Sequence, residues 1–281
     1  MISAYHQPED LQEALDLVAR GAVPVAGATG LYTAGFKRDV ELVDLTRLGL
    51  HGITVTSDRL VLGAAVTLSR LATEDKLPSM QGALLRQVAS SIASAPLRNA
   101  ITLGGNLAYI VYWADMPVVL LALDAQVEVQ RFGQQARWIP LASCLEKGKQ
   151  TWEGGLITRF AVPLRPGHLG FGHHRITRTV SDYAIASACV TLARDGDKAS
   201  NVRVVVGAIT SRATRVAQAE SLIEGTTVND AVVTNVKQAV AQSIAVAPNF
   251  RAPADYRREV AAVLVGRALH AAWTLASRED G

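Results

Sequence analysis

Two short glycine-bearing segments carry the chemistry most visible in this chain: Ala26-Gly27-Ala28-Thr29-Gly30 and Thr102-Leu103-Gly104-Gly105-Asn106. Each follows a β-like run. Glycine has no side chain to block close approach, so backbone N–H groups in such loops can turn into one concavity and bind a phosphate. The second segment enters an apolar run that can start a helix, whose positive end would add to the attraction. A plain tight turn is the alternative at each. The common nucleotide and hydrolase signatures are missing: no GxGxxG with an acidic residue about 20 positions on, no GxxxxGK[ST], no GxSxG and no HExxH.

The densest basic cluster is His173-His174-Arg175 with Arg178, interleaved with apolar residues, which suits one local anionic group better than a phosphate track. Adjacent strand residues point to opposite faces, so both histidines reach one site only from a bent segment. Otherwise they are two partly exposed strand residues, and as a metal pair they are weak; no metal ligands are assigned. Asp115, beside Tyr112, Trp113 and Pro117, either serves a site or caps the helix that follows, and Asp182 reads as a cap or turn residue. Cys144 and Cys189 are the only cysteines, too few for a protein-held four-cysteine iron–sulfur cluster. They also argue against a disulfide framework and suit a reducing compartment.

The chain has 281 residues, 49% of them hydrophobic and only 19% charged, so it is long enough for two domains and somewhat poor in surface charge. That leaves room for surfaces covered by other subunits. The formal net charge of +3, with no basic tract, gives no argument for a nucleic-acid partner. The N-terminal residues lack the basic start and apolar core of a signal peptide, and the longest apolar run, 116–123, is far short of about 20 residues. A cytoplasmic protein without a membrane span is expected.

The elements that must hold these residues alternate in type. Pro8, Glu9 and Asp10 open an amphipathic helix that Gly21 ends. VPVAGATGL and VELVDL then make a β–loop–β start, and β-branched runs around Ser57-Asp58 predict a hairpin, after which Thr67 caps a short helix. Residues 80–92 have helical spacing, 115–123 read as a buried helix, and strands are expected around Val127, Trp138 and Ile157. Pro163, Pro166 and Gly167 mark a domain boundary. A hairpin turning at 195–198 and helices over 216–223, 231–244 and 254–276 predict a small sheet packed with helices in the C-terminal part.

The order AGATGL, TLGGNL with Asp115 nine residues after its asparagine, LLALDAQVEV, Asp182-Tyr183-Ala184-Ile185-Ala186 and the final YRREVAAVLVGRAL resembles the FAD-binding medium subunit of molybdenum hydroxylases, the family of carbon monoxide dehydrogenase medium subunits and the xanthine dehydrogenase flavin domain. The resemblance covers essentially the whole chain. It implies an α+β architecture: a PCMH-type FAD-binding domain at 1–165, with subdomains about 1–57 and 58–165, then a C-terminal domain at 166–281 of small antiparallel sheet and helical bundle. It also implies an oxidoreductase subunit of a heterotrimer or its dimer. A small partner subunit would carry two [2Fe-2S] clusters and a large one a molybdopterin cofactor, and FAD here would pass electrons to an external acceptor.

Carried over residue by residue, Pro24, Val25, Ala26, Gly27, Ala28, Thr29, Gly30 and Leu31 match the first pyrophosphate loop. Thr102, Gly104, Gly105 and Asn106 match the second, whose N–H groups and hydroxyl would hold the same phosphates. Asp115 matches an acceptor for the flavin's sugar-like chain, and His173, His174 or Arg175 lies where the family brings an aromatic or basic group toward the isoalloxazine. The chain departs from the pattern in three places. Ala28 stands for the loop's second glycine, which strains the loop if a positive φ is needed there. Gly30 replaces a polar or acidic residue. Tyr109, Tyr112 and Trp113 stand where small polar residues are usual; they either stack on a flavin or adenine ring or fill the pocket. The second case would make this a flavin-free structural subunit.

Overall fold

The structure, a computed structural model, describes residues 1–34, 39–75, 77, 79–109, 111–164, 169–246 and 249–277. In chain order the elements begin with β1 (Ile2–His6), α1 (Leu11–Ala19), β2 (Val23–Val25), α2 (Thr29–Ala34), β3 (Val40–Asp44), β4 (Ile53–Val55), β5 (Arg59–Gly63), α3 (Leu68–Thr73), α4 (Ser79–Ser91), α5 (Ala95–Ala100) and α6 (Leu103–Ala108). They continue with α7 (Met116–Ala122), β6 (Gln126–Arg131), β7 (Arg137–Pro140), α8 (Leu141–Lys147), a 3₁₀ turn (Gly148–Thr151), β8 (Gly155–Pro163), β9 (Leu169–Ile176), β10 (Ala186–Asp195), β11 (Lys198–Gly207), β12 (Thr214–Arg215), α9 (Ala217–Ile223), α10 (Asp230–Ser243) and α11 (Ala254–Ala276).

These elements form two compact units that are not continuous in sequence. The first comprises Met1–Asp75, Ser94–Ile110 and Asp124–Pro163; the second comprises Lys76–Ala93, Val111–Leu123 and Leu164–Gly281. The expected boundary at Pro166 and Gly167 lies outside the described residues.

In the first unit, β1, β3 and β2 form a parallel sheet in that order, and a second, antiparallel sheet runs β4-β5-β8-β6-β7. Asp10 caps α1 by accepting the Glu13 N–H at 2.9 Å, and Ala14, Leu15 and Val18 form its buried face against Val43 and Leu156. The hairpin at Ser57-Asp58 forms as the sequence predicts, between β4 and β5. In the 94–106 stretch Pro96 opens α5, the chain extends at Ile101 and Thr102, and α6 follows.

The second unit is built on the antiparallel sheet β12-β11-β10-β9. Alternation along β10 sends Ala186, Ala188, Val190 and Leu192 into one core cluster with Ala261, Val265, Ala268 and Leu269 of α11. Ser187 and Thr191 leave from the other face, where the Thr191 hydroxyl donates to the Ala122 carbonyl of α7 at 2.8 Å. Every residue of α7 is buried. The helix α11 is long and apolar enough to cross a membrane, with mean hydropathy 1.2, but the face just named makes it the core helix of this sheet.

The glycines of β9 permit that packing. A Cβ on Gly170 would lie 1.9 Å from the Ala272 carbonyl oxygen, and one on Gly172 would lie 2.2 Å from that of Ala268. Both contacts are with helix backbone, which cannot step aside. Gly172→Val is expected to lower stability by about 1–3 kcal/mol or more, read as a lower urea midpoint; an unchanged midpoint would show that α11 does not rest on this strand.

Candidate functional site

The first predicted loop leaves β2 at Val25, whose carbonyl is tied to the Leu45 N–H at 2.8 Å, and reaches α2 at Thr29. Between them the chain runs directly against the α5–α6 connection. A Cβ on Gly27 would sit 1.5 Å from the Ala100 carbonyl oxygen, so only glycine fits. Ala28 is left-handed, with φ +57°. For a residue with a Cβ that conformation costs roughly 1–2 kcal/mol, so the loss of the family's glycine does strain this loop. Among the described residues the N–H groups of Ala26, Gly27 and Ala28 make no hydrogen bond within the chain.

The second loop is organised differently. Thr102 is extended and caps α6, its Oγ1 accepting the Gly105 N–H at 3.1 Å. The Leu103 N–H donates to the Val66 carbonyl at 2.9 Å and the Gly104 N–H to the Ala64 carbonyl at 2.8 Å. These three N–H groups are therefore taken, and the expectation that they hold phosphate does not carry over. What remains for a ligand is the Thr102 hydroxyl proton. Gly104 is a packing residue, since a Cβ there would meet Ala64 Cβ at 2.8 Å. Asn106 keeps a buried Oδ1 with no partner.

Two neighbouring cavities open along these loops. One, of about 80 Å³, is lined by residues 24–31 with Thr102, Gly105, Ala108 and Tyr109. The other, of about 90 Å³, shares Pro24, Ala26, Thr102, Gly105 and Ala108 and is completed largely by apolar groups, among them Leu45, Leu50, Trp152, Leu156 and Ile157. The two predicted glycine loops are thus brought together around this pair of cavities, with Tyr109 in the wall of the smaller one.

In the second unit, Asp115 and Arg175 meet as a buried ion pair, Nη1 to Oδ2 at 2.8 Å, with side chains 4% and 12% exposed. Asp115 does not cap α7 with its side chain. Arg175 is further held by the carbonyls of Ser91 and Asp182. Asp115 Oδ1 is left without a hydrogen bond, and so are His173 Nε2 and Ser187 Oγ. Burial pushes the Asp115 carboxyl up to about 6, with Arg175 and the nearby Ser187 hydroxyl pulling the other way. His173 is held down to about 3 by burial, then by Arg175 and His174. His174 projects from the opposite face of β9 to His173 and Arg175; its pKa is lowered by burial and by Arg267. Asp182 accepts the Tyr183 N–H and pairs with Arg251, whose guanidinium lies 5.2 Å from the Tyr183 ring centre and 5.8 Å from that of Trp113.

Sequence reasoning missed Arg257. It is 1% exposed, and donates to the carbonyls of Ile185 and Ala208. The available signal was its place in the helical pattern, with Ala254 three residues before it and Val260 and Ala261 three and four after. Cys144 and Cys189 are buried free thiols, both pushed up by burial, Cys144 to about 11. Neither has the lowered pKa of a reactive thiol.

His173 and Asp115 give opposite pH dependences. A folded-state histidine pKa below the unfolded value of about 6.5 means that stability is lost as pH falls from 6.5 toward 3. A carboxyl raised to about 6 contributes stability below its unfolded value, lost as pH rises through 6. His173→Gln removes only the first effect. The stability of the variant relative to wild type is expected to improve by about 2 kcal/mol from pH 7 to pH 5, measured by urea unfolding; a pH-independent difference would show that His173 is not buried in its neutral form.

Comparison with known proteins places these features in a wider set. Residues 1–165 match the family described as FAD binding domain in molybdopterin dehydrogenase, and residues 173–272 match the CO dehydrogenase flavoprotein C-terminal domain. The chain is 33% identical to the 6-hydroxypseudooxynicotine dehydrogenase complex subunit alpha of Paenarthrobacter nicotinovorans, covering 94% of this chain and 92% of that one. It is 29% identical to the carbon monoxide dehydrogenase medium chain of Afipia carboxidovorans, covering 95% and 96%. Among solved structures, a carbon monoxide dehydrogenase chain from Hydrogenophaga pseudoflava superposes with a TM-score of 0.91 at 26% identity, covering 98% of both chains.

Proposed function

The chain belongs to the FAD-binding medium subunits of the molybdenum hydroxylase family, and from that premise we propose that it works as an electron-transfer subunit, taking electrons from [2Fe-2S] clusters of a small partner subunit and passing them through FAD to an external acceptor. The observation that carries the reading is the cradle of residues 26–28 and 102, which lines one cavity in the first unit and whose three loop N–H groups are not taken up among the described residues. FAD, when bound, would supply the ability to accept electrons one at a time, hold two and release them to the acceptor.

The residues fit such a group. The N–H groups of Ala26, Gly27 and Ala28 and the Thr102 hydroxyl would donate to its diphosphate, in a loop that Gly27 lets pack against Ala100. The largely apolar cavity bounded by Trp152 and Leu156 would suit a flat ring. In the second unit, the Asp115 carboxylate is buried and fixed in place by Arg175 with the Ser187 hydroxyl beside it, and it would serve as an acceptor for a ligand hydroxyl. His173 is neutral at physiological pH and offers Nε2 to a ligand without bringing charge. His174, on the other face, has no role assigned toward the flavin. The proposed organisation is a FAD-binding domain at 1–165 and a C-terminal domain at 166–281, in a cytoplasmic complex with iron–sulfur and molybdopterin subunits as a heterotrimer or its dimer.

The test is the visible spectrum of the chain purified with co-expressed partner subunits. Near-stoichiometric flavin bands that bleach when a reducing substrate of the complex is added are expected. An assembled complex with iron–sulfur absorption but no extractable flavin would contradict the reading and favour the flavin-free structural subunit.

A further inference from the structure

The 80 Å³ cavity is lined by the Ala26–Ala28 backbone and Thr102, and among its described lining residues no side chain is charged. A diphosphate carries two negative charges, and neutral donors leave most of that charge uncompensated. The 3₁₀ turn supplies a cation from outside the lining: Lys149 Nζ stands 5.7 Å from the centre of the Tyr109 ring, and that ring forms one wall of the cavity. Tyr109 is in turn seated on Gly30. A Cβ there would meet ring carbons Cε2, Cδ2 and Cζ at 2.7–2.9 Å, so the ring lies directly on the loop backbone. Gly30 and Tyr109 are two of the positions at which this chain leaves the family pattern, and here they touch.

We infer that Gly30, Tyr109 and Lys149 form a clasp over the phosphate cradle, in which Tyr109 walls the site and guides Lys149 to neutralise the diphosphate of the bound dinucleotide. This rests on the proposed FAD site and assigns its counter-charge. The four-carbon stem of lysine lets Nζ move from the ring face to a phosphate oxygen, and the charge-assisted contact it makes there is stronger than a neutral one. Gly30 is required for the ring's seat, which explains why a side chain is absent at that position.

The experiment is fluorescence titration of the flavin-stripped full chain with FAD and, separately, with riboflavin, which has no phosphate, at about 50 and 500 mM salt. Wild type is expected to bind FAD more weakly at high salt. Lys149→Gln is expected to weaken FAD about 5- to 20-fold at low salt, lose most of the salt dependence and leave riboflavin binding unchanged, with Lys149→Arg restoring affinity. Tyr109→Phe keeps the ring and should behave as wild type, whereas Gly30→Ala, which displaces the ring, should mimic Lys149→Gln. If wild type binds FAD but Lys149→Gln shows the same affinity and salt dependence, the clasp is wrong and the FAD site stands. Failure of wild type to bind FAD at all overturns both.

Discussion

The first unit depends on one close approach, that of the Gly27 backbone to the carbonyl of Ala100. Because nothing larger than hydrogen fits there, the 26–28 loop and the Thr102 cap come to face the same cavity. The consequence is visible one residue later. Having packed at Gly27, the chain must turn through a left-handed conformation at residue 28 to enter α2, and alanine accepts the strain that glycine would avoid. The loop's free N–H groups are thus a product of packing, since a relaxed turn would pair them internally.

The second unit keeps its polar groups by a different device. Asp115 and Arg257 are buried and Arg175 half-buried, and each cation is held chiefly by backbone carbonyls: Ser91 and Asp182 for Arg175, Ile185 and Ala208 for Arg257. Such contacts satisfy the guanidinium groups without further carboxylates, and they tie α4, α11 and the ends of the strands to one another. Asp115 Oδ1, Ser187 Oγ and His173 Nε2 stay unpaired in that setting. Unsatisfied buried atoms are costly, so their grouping around one ion pair calls for an explanation beyond ordinary core packing.

Much of this was legible in the residues themselves. The glycine loops stood out by type, the hairpin by Ser57-Asp58 between β-branched runs, and the separation of His173 from His174 by strand alternation. What stayed hidden was set by long-range contacts. The pairing of the Leu103 and Gly104 N–H groups is decided by carbonyls at Val66 and Ala64, about 40 residues earlier, so a phosphate-loop pattern can equally be a packing pattern. Arg175 as the partner of Asp115 lies 60 residues away, and no local motif links them. Lys149 carries no signature at all; only the folded position of Tyr109 makes it notable. The family resemblance supplied positions, whereas the structure shows that Gly104 lets its backbone meet Ala64 and that Gly105 lies against the Thr102 hydroxyl.

The most direct measurement is a crystal structure of the full chain loaded with FAD. The account predicts the diphosphate within hydrogen-bond distance, about 2.7–3.2 Å, of the Ala26–Ala28 N–H groups and the Thr102 hydroxyl, with Leu103 and Gly104 still bonded to Val66 and Ala64. A flavin whose phosphates lie elsewhere, or a cradle that must open those two backbone bonds to receive them, would contradict it.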